Sequence, residues 1–162
     1  MNYAKIITAD IANGPGFRVS LFVSGCARNC PGCFNPETHD PDFGKPFNSS
    51  AKEKIFTELS KDWIDGLSLL GGEPMSLLSD NRKVITEFVK EVKEKFPNKT
   101  IWMWTGYTIE ELKNEEILNY IDGIVDGGFI EDLHSIELKW RGSSNQRILI
   151  KGKDSKYHLY ND

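Results

Sequence analysis

Strand-like and helix-like segments alternate along most of this chain, and that order restricts its fold more than any other feature. Short apolar runs rich in β-branched and aromatic residues predict strands at residues 17–25, 66–74, 100–106, 123–128 and 146–151. Amphipathic stretches between them predict helices at residues 50–63, 80–96 and 108–121. This alternation is typical of a parallel sheet with right-handed crossovers. We therefore expect an α/β fold, a partial (β/α) barrel with a parallel sheet of about four to five strands, too few for an eightfold barrel.

Two of the predicted helices begin with the spacing of a capping box. Ser50 is followed three residues later by Glu53, and Thr108 by Glu111. In a capping box each of the two side chains accepts a hydrogen bond from the backbone N–H of the other residue. The remaining helix, at residues 80–96, carries an apolar stripe and is closed by Pro97.

Length and charge limit the function classes. The 162 residues, of which 39% are apolar and 27% charged, predict one domain over residues 1–162. A net charge of −4 with scattered arginines argues against a nucleic acid partner. There is no apolar run of the roughly twenty residues that a membrane span needs, and Asp10 and Asn13 interrupt the N-terminal segment where a signal peptide is apolar. We expect a cytoplasmic protein without a membrane partner, whose cysteines stay reduced.

All three cysteines of the chain, Cys26, Cys30 and Cys33, lie within eight residues in the spacing C-x3-C-x2-C. Soft sulfur ligands select zinc or iron–sulfur clusters. A structural zinc ion needs four protein ligands, for which His39 is the nearest fourth candidate. A [4Fe–4S] cluster held by three cysteines instead leaves one iron open to a substrate. Three incidental buried cysteines are disfavoured, because a loop punctuated by proline and glycine rarely forms a core.

A second motif, GGEP at residues 71–74, ends the second predicted strand. Gly71 and Gly72 allow the backbone to approach a ligand closely, and Glu73 offers a carboxylate for a ligand cation. A simple turn with a solvated glutamate is the alternative. In parallel α/β folds the ligand site lies beyond the carboxyl ends of the strands, so we expect this motif, the cysteines, residues 105–107 and residues 126–128 on one rim.

The cysteine spacing and GGEP together resemble the radical S-adenosylmethionine (SAM) superfamily. The resemblance implies that Cys26, Cys30 and Cys33 hold a [4Fe–4S] cluster whose open iron chelates the methionine part of SAM. It also implies that Gly71, Gly72 and Glu73 cradle the methionine ammonium, and that Gly32, Cys33 and Phe34 form the segment beside the adenine. Most members carry an aromatic residue just before the third cysteine; here that residue is Gly32, and the aromatic one is Phe34.

Four further segments, NGPGFRVSLFVSGC, CFN, WMWTGY and RGSSNQR, resemble the anaerobic ribonucleotide reductase activating proteins over residues 13–147. These are small radical SAM activases of the glycyl-radical type. The resemblance implies a flavodoxin-like electron donor and a partner, the large reductase subunit, in which a 5′-deoxyadenosyl radical removes hydrogen from a glycine. Rival interpretations are another radical SAM enzyme, of the deazapurine synthase or pyruvate formate-lyase activase type, and a non-catalytic zinc-binding module. The first rivals are longer chains in which the RGSSNQR segment is not expected.

Several other residues have less specific predictions. Trp102 and Trp104 alternate along one strand and therefore share a face, in the core or against a partner. Arg18 is predicted to be structural. The remaining candidates are rim residues that contact SAM or the partner, or serve the fold alone: Thr105, Tyr107, Asp126, Arg141 and Arg147. No hydrolase motif is present.

Overall fold

One mixed sheet of eight strands forms the framework of the fold. A computed structural model describes residues 1–161. The strands are β1 (Asn2–Asp10), β2 (Arg18–Val23), β3 (Lys45–Pro46), β4 (Gly66–Gly71), β5 (Thr100–Thr105), β6 (Gly123–Asp126), β7 (Arg147–Lys151) and β8 (Tyr157–Leu159). Their order across the sheet is β3-β1-β2-β4-β5-β6-β7-β8.

The four central strands, β2, β4, β5 and β6, pair in parallel, as the alternation of strands and helices predicts. The fifth predicted strand is present as β7, but its parallel direction was wrong, because it follows β6 directly and pairs with it antiparallel. Strands β1, β3 and β8, which the sequence analysis did not identify, extend the two edges antiparallel. The curvature of a partial barrel stays a prediction.

Two α-helices, α1 (Ser49–Leu59) and α2 (Asn81–Lys95), follow β3 and β4. Helix α1 begins one residue earlier than predicted, because the side chain of Asn48, rather than Ser50, accepts a hydrogen bond from the backbone N–H of Ala51 (3.1 Å). The buried face of α2 has the spacing expected of an amphipathic helix and consists of Asn81, Ile85, Phe88, Val89 and Val92.

The helix predicted at residues 108–121 was wrong. Only turns and a short 3-10 helix, Glu116–Asn119, occur there, and two further 3-10 helices lie at Pro36–His39 and Glu131–Leu133. The capping-box contacts nevertheless form, with the N–H of Thr108 donating to Glu111 Oε2 (2.7 Å). The buried residues Leu112 and Ile117 are five positions apart, so a regular α-helix cannot place both on one face.

The two faces of the parallel strands have different surroundings. Odd-numbered residues of β2, β4 and β5 pack with α1 and α2 into the main hydrophobic core, for example Leu21, Leu69 and Met103. Even-numbered residues such as Phe22 and Trp104 point to the other face and line a cavity. Both helices therefore cover one face and leave the opposite face for a ligand. No helix within residues 1–161 is long and apolar enough to cross a membrane.

Arg18 closes the amino-terminal end of that second face. It is fully buried, and its guanidinium donates to Ser68 Oγ (2.6 Å), to Thr100 Oγ1 (3.0 Å) and to the carbonyls of Pro15, Leu67 and Thr100. Burial lowers the pKa of Arg18 to about 10. Because every contact is to the protein's own backbone or hydroxyl groups, the structural role predicted for Arg18 agrees with its position.

Candidate active site

The rim at the carboxyl ends of the parallel strands encloses a cavity of about 650 Å³. The loops after β2, β4, β5 and β6 all contribute to its wall, as the parallel arrangement predicts. The predicted site residues that line it are Cys26, Cys30, Cys33, Phe34, Gly71, Gly72, Glu73, Thr105 and Arg141. The cysteines and the GGE segment, 38 or more positions apart in the sequence, therefore share one cavity.

The three thiols are free and half-buried on one loop. The loop turns tightly, with Asn29 (φ 44°) and Gly32 (φ 70°) in the left-handed region, and the N–H of Cys33 donates to the carbonyl of Cys30 (3.2 Å). Burial raises the pKa of the Cys26 thiol, and the negative charge of Glu73 adds to the effect. A bound metal would reverse this shift, since a coordinating thiol is deprotonated outright.

The arrangement of donors bears on the choice between zinc and a cluster. Cys26, Cys30, Cys33 and His39 line the same cavity. A structural zinc ion needs four protein donors. In a [4Fe–4S] cluster each thiolate binds a different iron. The chemistry of three soft thiols that line one cavity fits a [4Fe–4S] cluster.

Backbone hydrogen bonds fix the start of the cysteine loop. The N–H of Gly25 donates to the carbonyl of Thr38 (2.8 Å), and that of Cys26 to the carbonyl of His39 (3.1 Å). The carbonyl of Gly25 accepts from the N–H of Glu73 (3.0 Å). The cysteine loop and the GGE segment are therefore joined directly.

The two glycines of GGEP are needed by the fold itself. Gly71 has φ 107°, and a Cβ there would lie 2.7 Å from the backbone of Val23. A Cβ on Gly72 would lie 2.7 Å from the carbonyl oxygen of Thr38. Real Cβ atoms do not approach so closely, so both positions require glycine even before a ligand is considered.

Glu73 is buried, with 2% of its surface exposed, which excludes the alternative of a solvated turn residue. Its Oε1 accepts from the N–H of Met75 (2.9 Å) and from Thr105 Oγ1 (2.8 Å), and Oε2 accepts from the N–H of Gly106 (2.7 Å). Burial raises the pKa of Glu73, whereas these hydrogen bonds and the charge of Arg28 act in the opposite direction. A carboxylate offers about four acceptor positions, three of which these bonds occupy, and Glu73 also lines the cavity.

A stack of two arginines and a tyrosine joins the cysteine loop, the loop after β5 and the start of α2. The guanidinium of Arg28, in the cysteine loop, lies 5.3 Å from the ring centre of Tyr107, and that of Arg82 lies 5.2 Å from it. Such cation–π contacts are favourable. The Arg28 side chain also fills the space beside Gly106, where a Cβ would overlap it. Neither arginine was predicted as a site residue, because Arg28 occupies an unspecified position of C-x3-C and Arg82 lies outside every motif.

In the segment predicted beside the adenine, glycine stands before Cys33 and the aromatic residue after it, and the backbone conformation explains this order. Gly32 has φ 70°, in the left-handed region that glycine adopts readily and that strains an aromatic residue. Phe34 is 64% exposed, and its ring centre lies 5.2 Å from those of Phe129 and His134. Phe34 thus supplies an aromatic surface at the cavity rim.

The RGSSNQR segment supports the far wall of the cavity. Gln146 Oε1 accepts from the N–H of Gly142 (2.9 Å), and Gln146 Nε2 donates to the carbonyl of Gly127 (2.9 Å). Asn145 Nδ2 donates to the carbonyl of Gly128 (2.9 Å). These contacts fix the loop that follows β6.

The remaining candidates are an ion pair outside the cavity and two tryptophans on β5. Asp126 is buried and pairs with Arg147, whose Nε donates to its Oδ1 at 2.9 Å; both lie outside the cavity lining. Trp102 and Trp104 share a face as predicted, with ring centres 6.0 Å apart. Trp104 lines the cavity, and its Nε1 donates to the carbonyl of Trp140 (2.6 Å).

Comparison with known proteins first defines the class. A family model described as a 4Fe-4S single cluster domain matches residues 12–149, a range that includes all three cysteines and the GGE segment. The chain thus has the 4Fe-4S cluster domain that the donor set fits. No solved structure gave a significant match.

Curated relatives show which family of 4Fe-4S proteins the chain belongs to. The chain is 45% identical to the anaerobic ribonucleoside-triphosphate reductase-activating protein of Enterobacteria phage T4, over 91% of this chain and 93% of the relative. It is 41% identical to the protein of the same name from Escherichia coli K12, and 43% to that from Vibrio cholerae, each over 91% of this chain and 97% of the relative. The chain belongs to the family of anaerobic ribonucleoside-triphosphate reductase-activating proteins.

Proposed function

We propose that the chain activates an anaerobic ribonucleotide reductase by reductive cleavage of SAM at a [4Fe–4S] cluster held by Cys26, Cys30 and Cys33. One observation carries the proposal: the three thiols and the GGE segment line a single cavity at the carboxyl ends of four parallel strands. The names of the relatives supply the reductase as the partner.

Cys26, Cys30 and Cys33 would hold the cluster, which would supply the one electron for reductive cleavage of SAM and thereby hydrogen abstraction from a glycine Cα of the partner. The residues of the chain itself bind SAM and orient it. Gly71, Gly72 and Glu73 line the cavity, and they would bind the methionine ammonium through backbone groups and the Glu73 carboxylate. Charge-assisted hydrogen bonds of this kind contribute about 1.5–3 kcal/mol. Gly32, Cys33 and Phe34 form the adenine side.

The surface around the cavity suits a protein substrate. Phe34 is 64% exposed, and Ile136, which also lines the cavity, is 93% exposed. Apolar side chains grouped at the edge of a cavity are typical of protein interaction sites. We propose that the glycine-bearing segment of the large reductase subunit enters here, and that a flavodoxin-like protein donates the electron.

Low-temperature electron paramagnetic resonance (EPR) on anaerobically reconstituted, reduced protein tests this function. We expect a reduced [4Fe–4S] signal that changes shape when SAM is added, because SAM takes the open iron. Addition of the large subunit of the reductase should then yield a glycyl radical and one 5′-deoxyadenosine for each radical formed. Stoichiometric zinc with no cluster signal would instead identify the zinc-binding module. A cluster that cleaves SAM without forming a glycyl radical on the reductase would point to another radical SAM enzyme.

Replacement of Ile136 by serine is expected to weaken the reductase interaction alone. The side chain is almost fully exposed, so the free energy of unfolding should change by no more than about 0.5 kcal/mol. We expect the reductase concentration for half-maximal glycyl radical formation to rise about fivefold, as for an interface residue whose truncation costs about 1 kcal/mol. SAM cleavage without reductase should stay unchanged. Leu159→Ser on the edge strand β8 is the matched control, and equal effects of the two variants would contradict the prediction.

A further inference from the structure

Asn81 is a fully buried polar residue to which the proposed function assigns no role. It is the first residue of α2 and belongs to the buried face of the helix, where its side chain reaches two loops. Its Nδ2 donates to the carbonyl of Ser24 (2.9 Å) and to the carbonyl of Glu73 (3.0 Å). Ser24 lies two residues before Cys26, and Glu73 belongs to the GGE segment.

The orientation of this amide is fixed from the other side. Ser79 Oγ donates to Asn81 Oδ1 (2.6 Å), so the NH₂ group must face the two carbonyls, and all of its hydrogens are used. Burial makes these bonds hard to exchange for water, because an unsatisfied buried carbonyl is costly. Helix α2 is itself held in the core by Ile85 and Phe88, so Asn81 is a rigid point of attachment.

We propose that Asn81 is a positioning residue that sets the distance between the cysteine loop and the GGE segment, and hence fits SAM to the cluster. This inference rests on the proposed function, in which the two loops hold the two ends of one chelated group. Two backbone bonds already join the segments, from the N–H of Gly72 to the carbonyl of Val23 (2.8 Å) and from the N–H of Glu73 to the carbonyl of Gly25 (3.0 Å), but neither reaches a helix. The two bonds of Asn81 attach both segments to the first residue of α2 and so add a common support.

The test compares Asn81→Asp with the intact protein. Aspartate has the same shape, but as a carboxylate it offers no donor to the two carbonyls, and in its protonated form it offers one. We expect the three thiols to bind the cluster with unchanged iron content. The SAM concentration that half-converts the EPR signal should rise at least about tenfold, as misplacement by about 1 Å is known to have such effects. Asn48→Asp at the start of α1 is the matched control, since a carboxylate still caps that helix.

The possible outcomes distinguish failure of the proposed function from failure of the positioning role of Asn81. If the wild-type signal itself does not respond to SAM, the proposed function fails, and the role of Asn81 in it fails too. If the wild type responds and Asn81→Asp responds at the same SAM concentration, only the positioning role is wrong. A folded Asn81→Asp protein that has lost its iron also contradicts the inference, because Asn81 would then shape the cysteine loop alone. If Asn81→Asp does not fold, Ser79→Ala is the variant to measure. A rise in the half-converting SAM concentration that is smaller than about tenfold supports the positioning role, and a wild-type value overturns it.

Discussion

Replacement of any one of Cys26, Cys30 or Cys33 by alanine is expected to abolish glycyl radical formation on the reductase. The chain has no fourth cysteine to substitute for a lost ligand, and the cavity lining offers only His39 and His134 as other soft donors. With two thiolates, two irons of the cluster would be left without a protein ligand. We therefore expect iron and sulfide content after anaerobic reconstitution to fall to less than about a tenth of the wild-type value, since loss of even an outer-shell partner of a metal ligand typically costs about 10–100-fold in affinity or activity.

The thiol variants must be distinguished from unfolded protein. The three cysteines are only half-buried and lie in a loop outside the main hydrophobic core, so loss of a sulfur should cost the metal-free protein no more than about 1 kcal/mol. Circular dichroism and urea unfolding of the metal-free forms check this. Ala27→Ser, in the same loop, is the control and should retain iron. A variant that lacks one of the three thiols and still binds a full complement of iron would show that the ligand set is wrong.

The parts of the fold that the sequence predicts are those whose signals are local. Each central parallel strand is short and mainly apolar, because helices cover one face and the cavity wall covers the other. Strand β1 escaped notice because it is half-buried along its length, without regular alternation, and β8 has only three residues. The failed helix at 108–121 had the right capping chemistry, but tertiary contacts such as the bond from Ile109 N–H to Asp126 (2.8 Å) fix another backbone path.

In the candidate site, too, the sequence predicts the residues with a local signal and misses those that act through tertiary contacts. The thiols and GGEP carry their chemistry in neighbouring residues, so their spacing alone indicates it. The residues that hold those motifs together act across the sequence: Asn81 contacts a carbonyl 57 positions away, and Arg28 stacks on Tyr107. Such contacts arise only when the sheet brings its strand ends to one rim. No local pattern records them, so they became visible only in the structure.

Glu73→Gln is expected to affect both stability and SAM binding, although glutamine has almost the same shape. The wild-type carboxylate faces three donors, from Met75, Thr105 and Gly106. An amide has one acceptor oxygen, so in either orientation its NH₂ group meets the N–H of Met75 or of Gly106. One backbone donor is then left opposed by another donor, at a cost of about 1–3 kcal/mol in the free energy of unfolding.

The loss of charge adds a second effect, because a neutral amide attracts the methionine ammonium less than a carboxylate does. We expect the SAM concentration that half-converts the EPR signal to rise at least about tenfold, which corresponds to about 1.4 kcal/mol. Urea unfolding of the metal-free protein and EPR titration measure the two effects separately. Glu87→Gln, on the exposed side of α2, is the matched control. If Glu73→Gln lowered stability but left SAM binding intact, Glu73 would serve only to join β4 to β5, and the ammonium would be bound by the backbone of Gly71 and Gly72 alone.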